Sequence, residues 1–236
     1  MQQLRQGTRA LGLSLTDEQL AAFQVYQAEL LAWNQKVNLT SITAPDEIVS
    51  KHFLDSLAAL QFQLPASNLQ LIDIGAGAGF PALPLKIARP EWRVTLLEAT
   101  RKKCDFLEHV IGVLRLKHAR VIWGRAETVA HEDGEREQYD LVVARAVAEL
   151  ATLAEYMLPF VKPQGLCVAW KGEQIETELD AARDVYGQLG GRLREVRPVQ
   201  VPGIERRHHL VVMEKVSRTP KTYPRREGVP SKRPLN

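Results

Sequence analysis

Between residues 69 and 189, five short apolar runs alternate with stretches of helical character. The runs are residues 69–74, 93–98, 119–123, 140–145 and 166–171, and the helical stretches lie near residues 81–89, 100–116, 147–160 and 173–189. Continuous apolar strands alternating with helices predict an α/β fold, a parallel sheet covered on both faces. Residues 194–201 and 208–216 are two further strand candidates, separated by a short Pro-Gly segment, and predict a terminal antiparallel hairpin.

The segments on either side of this pattern differ from it in character. Residues 1–63 are predicted to form a helical extension, with Thr16 as an N-cap and Gln19 completing a capping box. Residues 64–216 form the predicted core. Residues 217–236 contain four prolines and six Lys/Arg against one acid, so we expect an extended tail or one that orders on binding a polyanion.

Composition sets limits on the protein class. The chain of 236 residues carries a formal charge of +3 and has no apolar run near the roughly 20 residues that span a bilayer. The first residues lack the apolar stretch of a secretory signal. The two cysteines, Cys104 and Cys167, show no metal-ligand spacing and are expected to be buried, inert thiols. We therefore expect a cytoplasmic protein, monomeric and without a metal or membrane partner.

A glycine-rich segment follows the first strand and opens a helix. It runs from Asp73 to Pro81, and its glycines are Gly75, Gly77 and Gly79. This G-x-G-x-G spacing differs from the G-x-G-x-x-G of pyrophosphate-binding loops, because Phe80 occupies the last position. A carboxylate two residues before the first glycine would repel a pyrophosphate but favour a cationic sulfonium and amine. The loop therefore predicts an S-adenosylmethionine site.

The next two strand ends supply further cofactor candidates. Glu98 ends the second strand, where a carboxylate is placed to accept hydrogen bonds from ribose hydroxyls. Ala126 and Glu127 follow the third strand, where residues are expected to edge the adenine. The alternative for both acids is a solvated loop position, and the ribose contact would suit any adenosine cofactor.

The end of the fourth strand reads Ala144-Arg145-Ala146-Val147. Class I methyltransferases usually present the acceptor here, and those that modify exocyclic amines tend to carry (D/N)-P-P-(Y/F). Its absence favours an acceptor that needs no general base, such as guanine N7. Arg145 and Lys171, at the ends of strands four and five, are the candidate catalytic cations, donating to guanine O6 or a phosphate. An ordinary salt bridge is the alternative for Arg145.

These motifs together resemble the RsmG (GidB) family of bacterial methyltransferases. The resemblance covers nearly the whole chain and rests on residues 33–40, 52–56, 73–81, 125–127, 144–146, 171–172 and the tail from residue 219 to 226.

The resemblance implies a class I methyltransferase fold and methylation of N7 of a guanine in 16S ribosomal RNA of the small subunit. It implies cofactor contacts at Gly75, Phe80, Ala126, Glu127 and Arg145. It also implies that the N-terminal part, with His52 and Asp55, packs beside the cofactor cleft. A structural role is favoured for His52.

One motif departs from the family, and several functions stay open. Where members often carry Glu-Arg-(His/Asn), the chain has Glu205 to His209, so either Arg207 or His208 takes the arginine's place. The predicted phosphate-binding groups are Arg101, Lys102, Lys103, Arg192, Arg194, Arg206, Arg207 and the tail. The alternatives are a small-molecule methyltransferase, an NAD-dependent oxidoreductase and a non-catalytic RNA-binding assembly factor.

Overall fold

The structure is a computed structural model that describes residues 1–62, 68–205 and 207–236. Within these residues a single sheet has seven strands, in the order β3-β2-β1-β4-β5-β7-β6. The strands are β1 Gln70–Ile74, β2 Arg93–Glu98, β3 Ala119–Trp123, β4 Tyr139–Arg145, β5 Val161–Lys171, β6 Gly191–Val199 and β7 His208–Lys215. The predicted boundary between residues 63 and 64 lies outside the described residues.

Strand pairing confirms the predicted topology. β1 to β5 run parallel, β7 pairs antiparallel with β5, and β6 pairs antiparallel with β7. The order of the chain reverses direction between β1 and β4, so the carboxyl ends of these strands form the crevice in which open α/β sheets bind ligands. The last hairpin differs from the prediction in its bounds: β6 begins three residues and ends two residues earlier than expected, and β7 ends one residue earlier.

Helices cover both faces of the sheet. They are α1 Gln2–Ala10, α2 Asp17–Asn34, α3 Pro45–Ile48, α4 Asp55–Leu57, α5 Ala82–Ala88, α6 Arg101–Val113, α7 Ala126–Val129, α8 Leu150–Met157, α9 Glu176–Ala182, α10 Val185–Gln188 and α11 Val229–Lys232. A π-helical turn, Val49–Leu54, joins α3 to α4, and a 3-10 turn, Ala58–Gln61, follows. The helix expected near 173–189 is divided into α9 and α10.

The two faces have separate apolar cores because alternate strand residues point to opposite sides. On β4, Leu141 and Val143 belong to the core that includes α1, α2 and α5, whereas Val142 and Ala144 belong to the core that includes α8 and α10. The N-terminal helices therefore cover one face of the sheet, while the second face is covered by the helices between β4 and β6.

The N-terminal extension is tied to the glycine-rich segment. Thr16 caps α2, and the predicted capping box with Gln19 is present. Tyr26 of α2 stacks on Phe80 with ring centres 5.3 Å apart, and its hydroxyl donates to the carbonyl of Ala78 at 2.5 Å. Because α2 contacts the loop directly, the extension forms one wall of the crevice.

The tail differs from the expectation of a segment that orders only on binding. It crosses the outer side of α8, ends with the short helix α11, and buries Thr219. Arg136 donates to three tail carbonyls, those of Thr219 and Tyr223 at 2.9 Å and that of Pro220 at 3.1 Å. Tyr223 and Leu235 pack against the second core. The tail is thus held by side chains of the same chain, although its composition indicated a polyanionic partner.

No helix within the described ranges is long and apolar enough to cross a membrane.

Candidate active site

The glycine-rich segment bends sharply at the carboxyl end of β1. The N–H groups of Gly75 and Ala76 both donate to the carbonyl of Leu97, at 2.9 and 3.0 Å, which ties the bend to the end of β2. Gly75 and Gly77 have φ angles of +71° and +60°, a region that residues with a Cβ rarely adopt. The predicted spacing of glycines therefore follows from the backbone path of this turn.

The two predicted acids beside the turn are buried and differ in their partners. Glu98 accepts hydrogen bonds from the backbone N–H of Gly77 at 2.9 Å and of Thr100 at 2.7 Å. Asp73 is fully buried; its Oδ2 accepts from the N–H of Ala82 at 3.1 Å, while Oδ1 has no partner among the described residues. Burial raises the pKa of Asp73 to about 7. Asp73 thus holds the start of α5 and keeps one free acceptor.

The segment after β3 closes the other side of the turn. Ala126 and Glu127 begin α7 and line a cavity of about 120 Å³ together with Gly75, Val147 and Tyr156. Val147, in the loop after β4, lies over the turn, since a Cβ placed on Gly75 would be 3.0 Å from its Cγ2. Glu127 is buried and accepts from the N–H of Gly228 at 3.0 Å.

Phe80 joins the turn to the N-terminal extension. Its ring stacks on His52 with a centroid distance of 4.3 Å, and the guanidinium of Arg145 lies 5.1 Å from its centre. Phe80 is buried. Phe80, which the family resemblance predicts as a cofactor contact, thus also contacts two polar side chains of the adjoining cluster.

Arg145, at the end of β4, is held by the N-terminal extension. It donates to Asp55 Oδ2 at 2.7 Å, to the Lys51 carbonyl at 3.1 Å and to His52 Nδ1 at 3.0 Å. A guanidinium only donates, so His52 accepts at Nδ1 and is neutral. Burial, reinforced by the charge of Arg145, lowers the pKa of His52 to about 4. The salt bridge considered for Arg145 is present.

Asp55 is the centre of this cluster. Burial alone would raise the pKa of its carboxyl, but contacts with His208 and Arg145 outweigh burial and hold the pKa below its ordinary value. His208 Nε2 lies 2.7 Å from Asp55 Oδ1, yet neither atom has a well-aligned hydrogen-bond partner among the described residues. A charged carboxylate with incomplete hydrogen bonding therefore faces the end of β4.

A second cavity lies beside this cluster. Its volume is about 370 Å³, and Asp55, Arg145, Lys171, Trp170 and His208 contribute to its lining. Lys171 also forms contacts of its own, donating to the carbonyl of Ala148 at 3.0 Å and pairing with Glu178 at 2.6 Å. Both predicted catalytic cations thus lie at one cavity, each with a carboxylate partner.

Arg207 and His208, the two candidates for the place of the family arginine, differ in their positions. His208 begins β7 and approaches Asp55, whereas Arg207 is exposed and Arg206 lies outside the described residues. Of these two residues, it is therefore the histidine that lies at the cluster.

Neither cysteine is activated. Cys104 and Cys167 are fully buried and unpaired with each other, and burial raises the pKa of both thiols, that of Cys104 to about 11. A thiol with a raised pKa is a poor nucleophile.

Several site residues were missed from sequence. Tyr156 and Val147 line the smaller cavity, and Trp170 lines the larger one. Tyr156 and Trp170 follow helical and strand patterns as ordinary core residues. Apart from its place after β4, no feature of the sequence identified Val147 as a residue that lines a cavity. These positions depend on how α8 and β5 pack, which local patterns do not encode.

Comparisons with known proteins agree with this geometry. A model of the family described as "GidB: rRNA small subunit methyltransferase G" matches residues 19–210. "Ribosomal RNA small subunit methyltransferase G" of Roseiflexus sp. (strain RS-1) is 52% identical over 237 residues, covering all of both chains. The protein of that name from Pelotomaculum thermopropionicum is 46% identical over 98% of this chain and 97% of its own.

Solved structures of lower identity share the fold. M. jannaschii TYW2, in complex with AdoMet, has a TM-score of 0.54 at 17% identity, covering 70% of this chain and 76% of its own. The antibiotic-resistance methyltransferase Kmr has a TM-score of 0.52 at 15% identity, covering 64% and 89%. The sheet with its terminal hairpin is therefore that of class I methyltransferases, and the full-length relatives show that the chain belongs to the rRNA small subunit methyltransferase G (GidB) family.

Proposed function

We propose that this chain transfers a methyl group from S-adenosylmethionine to N7 of a guanine in 16S ribosomal RNA, acting in the cytoplasm on the small subunit. The observation that carries the proposal is the place of two cavities on either side of the loop after β4: Gly75 and Val147 line one of them, and Arg145 and Ala146 line the other. Its relatives' shared name, ribosomal RNA small subunit methyltransferase G, supports the class of substrate.

The residues at the turn suit the cofactor. Asp73 keeps an unpartnered, buried carboxylate oxygen, which would favour a cationic ligand at the adjoining turn. Gly75 and Gly77 would let the nucleoside approach the backbone, Glu98 would hold the ribose, and Ala126 and Glu127 would edge the adenine. When bound, S-adenosylmethionine supplies an electrophilic methyl group.

The larger cavity suits an acceptor with a free lone pair. Guanine N7 carries no proton, so the chain needs no general base and contributes positioning and exclusion of water. The neutral His52 and the paired Arg145 and Lys171 fit this demand, because each side chain is held in one orientation. Arg145 would orient the reacting groups while Asp55 keeps the guanidinium in place.

An RNA partner is supported by an exposed aromatic side chain among cations. Trp123, at the end of β3, is 60% exposed; its indole N–H donates to the Ala99 carbonyl at 3.0 Å, and Arg101 lies 5.4 Å above the ring. Unpaired RNA bases stack on such rings. Lys102, the neighbour of Arg101, is exposed and would contact phosphates. Arg194, on the opposite edge strand β6, and Arg207, just before β7, are also exposed and would do the same.

Not every predicted phosphate-binding group is available. Arg101 pairs with Asp105 at 2.9 Å, Arg192 pairs with Glu214 at 2.8 Å, and Arg225 pairs with the buried Glu155. In the tail, the exposed cations are Arg218, Lys221, Arg226, Lys232 and Arg233. RNA binding through the exposed groups should weaken with salt.

The test is to incubate the protein with labelled S-adenosylmethionine and small ribosomal subunits and to digest the RNA. We expect labelled 7-methylguanine. Arg145→Gln should lower kcat about 100-fold, because the acceptor side of the site loses its positioned cation. Arg9→Gln, the same change at an exposed position of α1, is the matched control. Absence of label from 7-methylguanine with wild-type protein would refute the proposal.

A further inference from the structure

The tail passes beside the smaller cavity and contacts α7, the element that forms one of its walls. Gly228 donates its N–H to Glu127 Oε1 at 3.0 Å. Its neighbour Glu227 accepts from the Thr128 hydroxyl at 2.6 Å and lies 3.6 Å from Arg125 Nε. Three of the four residues from Arg125 to Thr128 are thus contacted by two adjacent tail residues.

These contacts matter because α7 is too short to hold itself. It spans only Ala126–Val129, a single turn, and isolated helices of that length are not stable in water. Its position therefore depends on what packs around it. Ala126 and Glu127 line the cavity at the glycine-rich turn, so the tail sets the place of two proposed cofactor-binding residues.

The tail itself is anchored by a buried ion pair on α8. Arg225 donates from Nε to Glu155 Oε1 at 2.9 Å and from Nη2 to Oε2 at 2.7 Å, and its backbone N–H reaches Oε1 at 2.7 Å. Glu155 is fully buried. Glu227, which contacts α7, follows Arg225 by only two residues. The ion pair of Arg225 with Glu155 therefore fixes which tail residues lie against α7.

We propose that the C-terminal tail is a structural part of the cofactor pocket: it positions Glu127 through Gly228 and Glu227, so that tail docking and cofactor binding are coupled. The inference rests on the proposed function, because it concerns the same cofactor. It gives the tail a role different from phosphate binding, and it assigns Glu227 and Gly228 as positioning residues.

Coupling of this kind is reciprocal, so the cofactor should protect the tail. The full chain is treated with trypsin, which cuts after Lys and Arg, with and without saturating S-adenosylhomocysteine. Release of the tail segment, followed by mass spectrometry, should slow when the ligand is present. Calorimetry on the same samples reports whether the ligand is bound.

Two neighbouring substitutions separate positioning from charge. Glu227→Ala should weaken S-adenosylhomocysteine binding about threefold to tenfold, the loss of one hydrogen bond and a partly exposed ion pair. Glu227→Gln keeps an acceptor for Thr128 and should recover part of the loss. Arg226→Ala, at the exposed neighbouring position, should leave the affinity unchanged. In turnover assays Glu227→Ala should raise KM for S-adenosylmethionine and leave KM for RNA unaltered.

The outcomes are distinguishable. If S-adenosylhomocysteine binds wild-type protein but neither slows tail cleavage nor binds Glu227→Ala more weakly, the inference is wrong while the proposed function stands. Equal losses in Glu227→Ala and Arg226→Ala would also overturn it, since the two substitutions change the charge in opposite directions and share only the loss of a tail side chain, not the contact with α7. Failure of the ligand to bind wild-type protein would overturn both.

Discussion

Two arginine–carboxylate pairs attach the ends of the chain to its core, and they differ in how completely their hydrogen bonds are made. In the tail, Glu155 is fully buried and both its oxygens accept from Arg225. In the N-terminal extension, Asp55 accepts from Arg145 at Oδ2, but its Oδ1 lacks an aligned partner. The saturated pair lies on the outer side of α8, while the incomplete pair lines the cavity proposed for the acceptor.

The difference indicates distinct roles for similar chemistry. A saturated buried pair has no capacity left for a ligand, and removing one partner leaves an uncompensated charge. An ion pair that lines a cavity and keeps an acceptor atom without a hydrogen bond is less well stabilised. This is typical of groups placed for function rather than for stability. We therefore expect substitutions in the tail pair to act on unfolding, and substitutions around Asp55 to act on turnover.

The largest effect is expected from Arg225→Met. It leaves the Glu155 carboxylate buried without its partner, which should lower the free energy of unfolding by about 3 kcal/mol or more. Urea unfolding followed by circular dichroism measures the change. Arg226→Met, at the exposed neighbour, is the control and should change stability by less than about 0.5 kcal/mol. Similar values for the two variants would show that the tail pair is not an anchor.

A second prediction concerns His52, whose pKa lies near 4 because the ring is buried beside Arg145. Its ordinary pKa is about 6.5, so between pH 4 and 6.5 the unfolded chain binds more protons and stability rises with pH. The contribution is fully present above pH 6.5 and is lost as the pH falls through 4, by up to about 3 kcal/mol.

The test compares wild type with His52→Gln in urea titrations from pH 4 to 7.5. The wild-type advantage should be smaller at pH 4 than at pH 7, because glutamine does not titrate. His131→Gln is a control outside the cluster, since His131 contacts the carbonyl of Pro224 in the tail. A stability difference that is constant across this range would mean that His52 has the same pKa in both states.

The strands of the fold could be predicted from sequence, because their patterns are local. β2 and β3 have the predicted bounds, since each is a continuous apolar run between polar turns. The glycine-rich turn could be recognised because positive φ angles require glycine. These features depend on neighbouring residues along the chain.

The contacts between distant segments could not be predicted. In the sequence Arg225 is one of several tail cations. Its partner Glu155 lies 70 residues earlier, on a helix whose residues are all buried. Charge counting cannot tell which cation meets a buried carboxylate. Likewise a salt bridge was the alternative interpretation of Arg145, but its partner could not be named, because Asp55 comes from another layer of the structure.

The smallest stability effect is expected at His208, which belongs to the Asp55 cluster and not to the Arg225–Glu155 pair. His208 Nε2 lies near Asp55 without an aligned hydrogen bond, so His208→Gln should change the free energy of unfolding by about 1 kcal/mol or less. The side chain lines the proposed acceptor cavity, so the same variant should raise KM for small subunits several-fold. His209→Gln is the neighbouring control, since His209 contacts the carbonyl of Gly172 instead. A stability loss as large as that of Arg225→Met, with KM unaltered, would place His208 with the anchoring pairs and remove the contrast between the two regions.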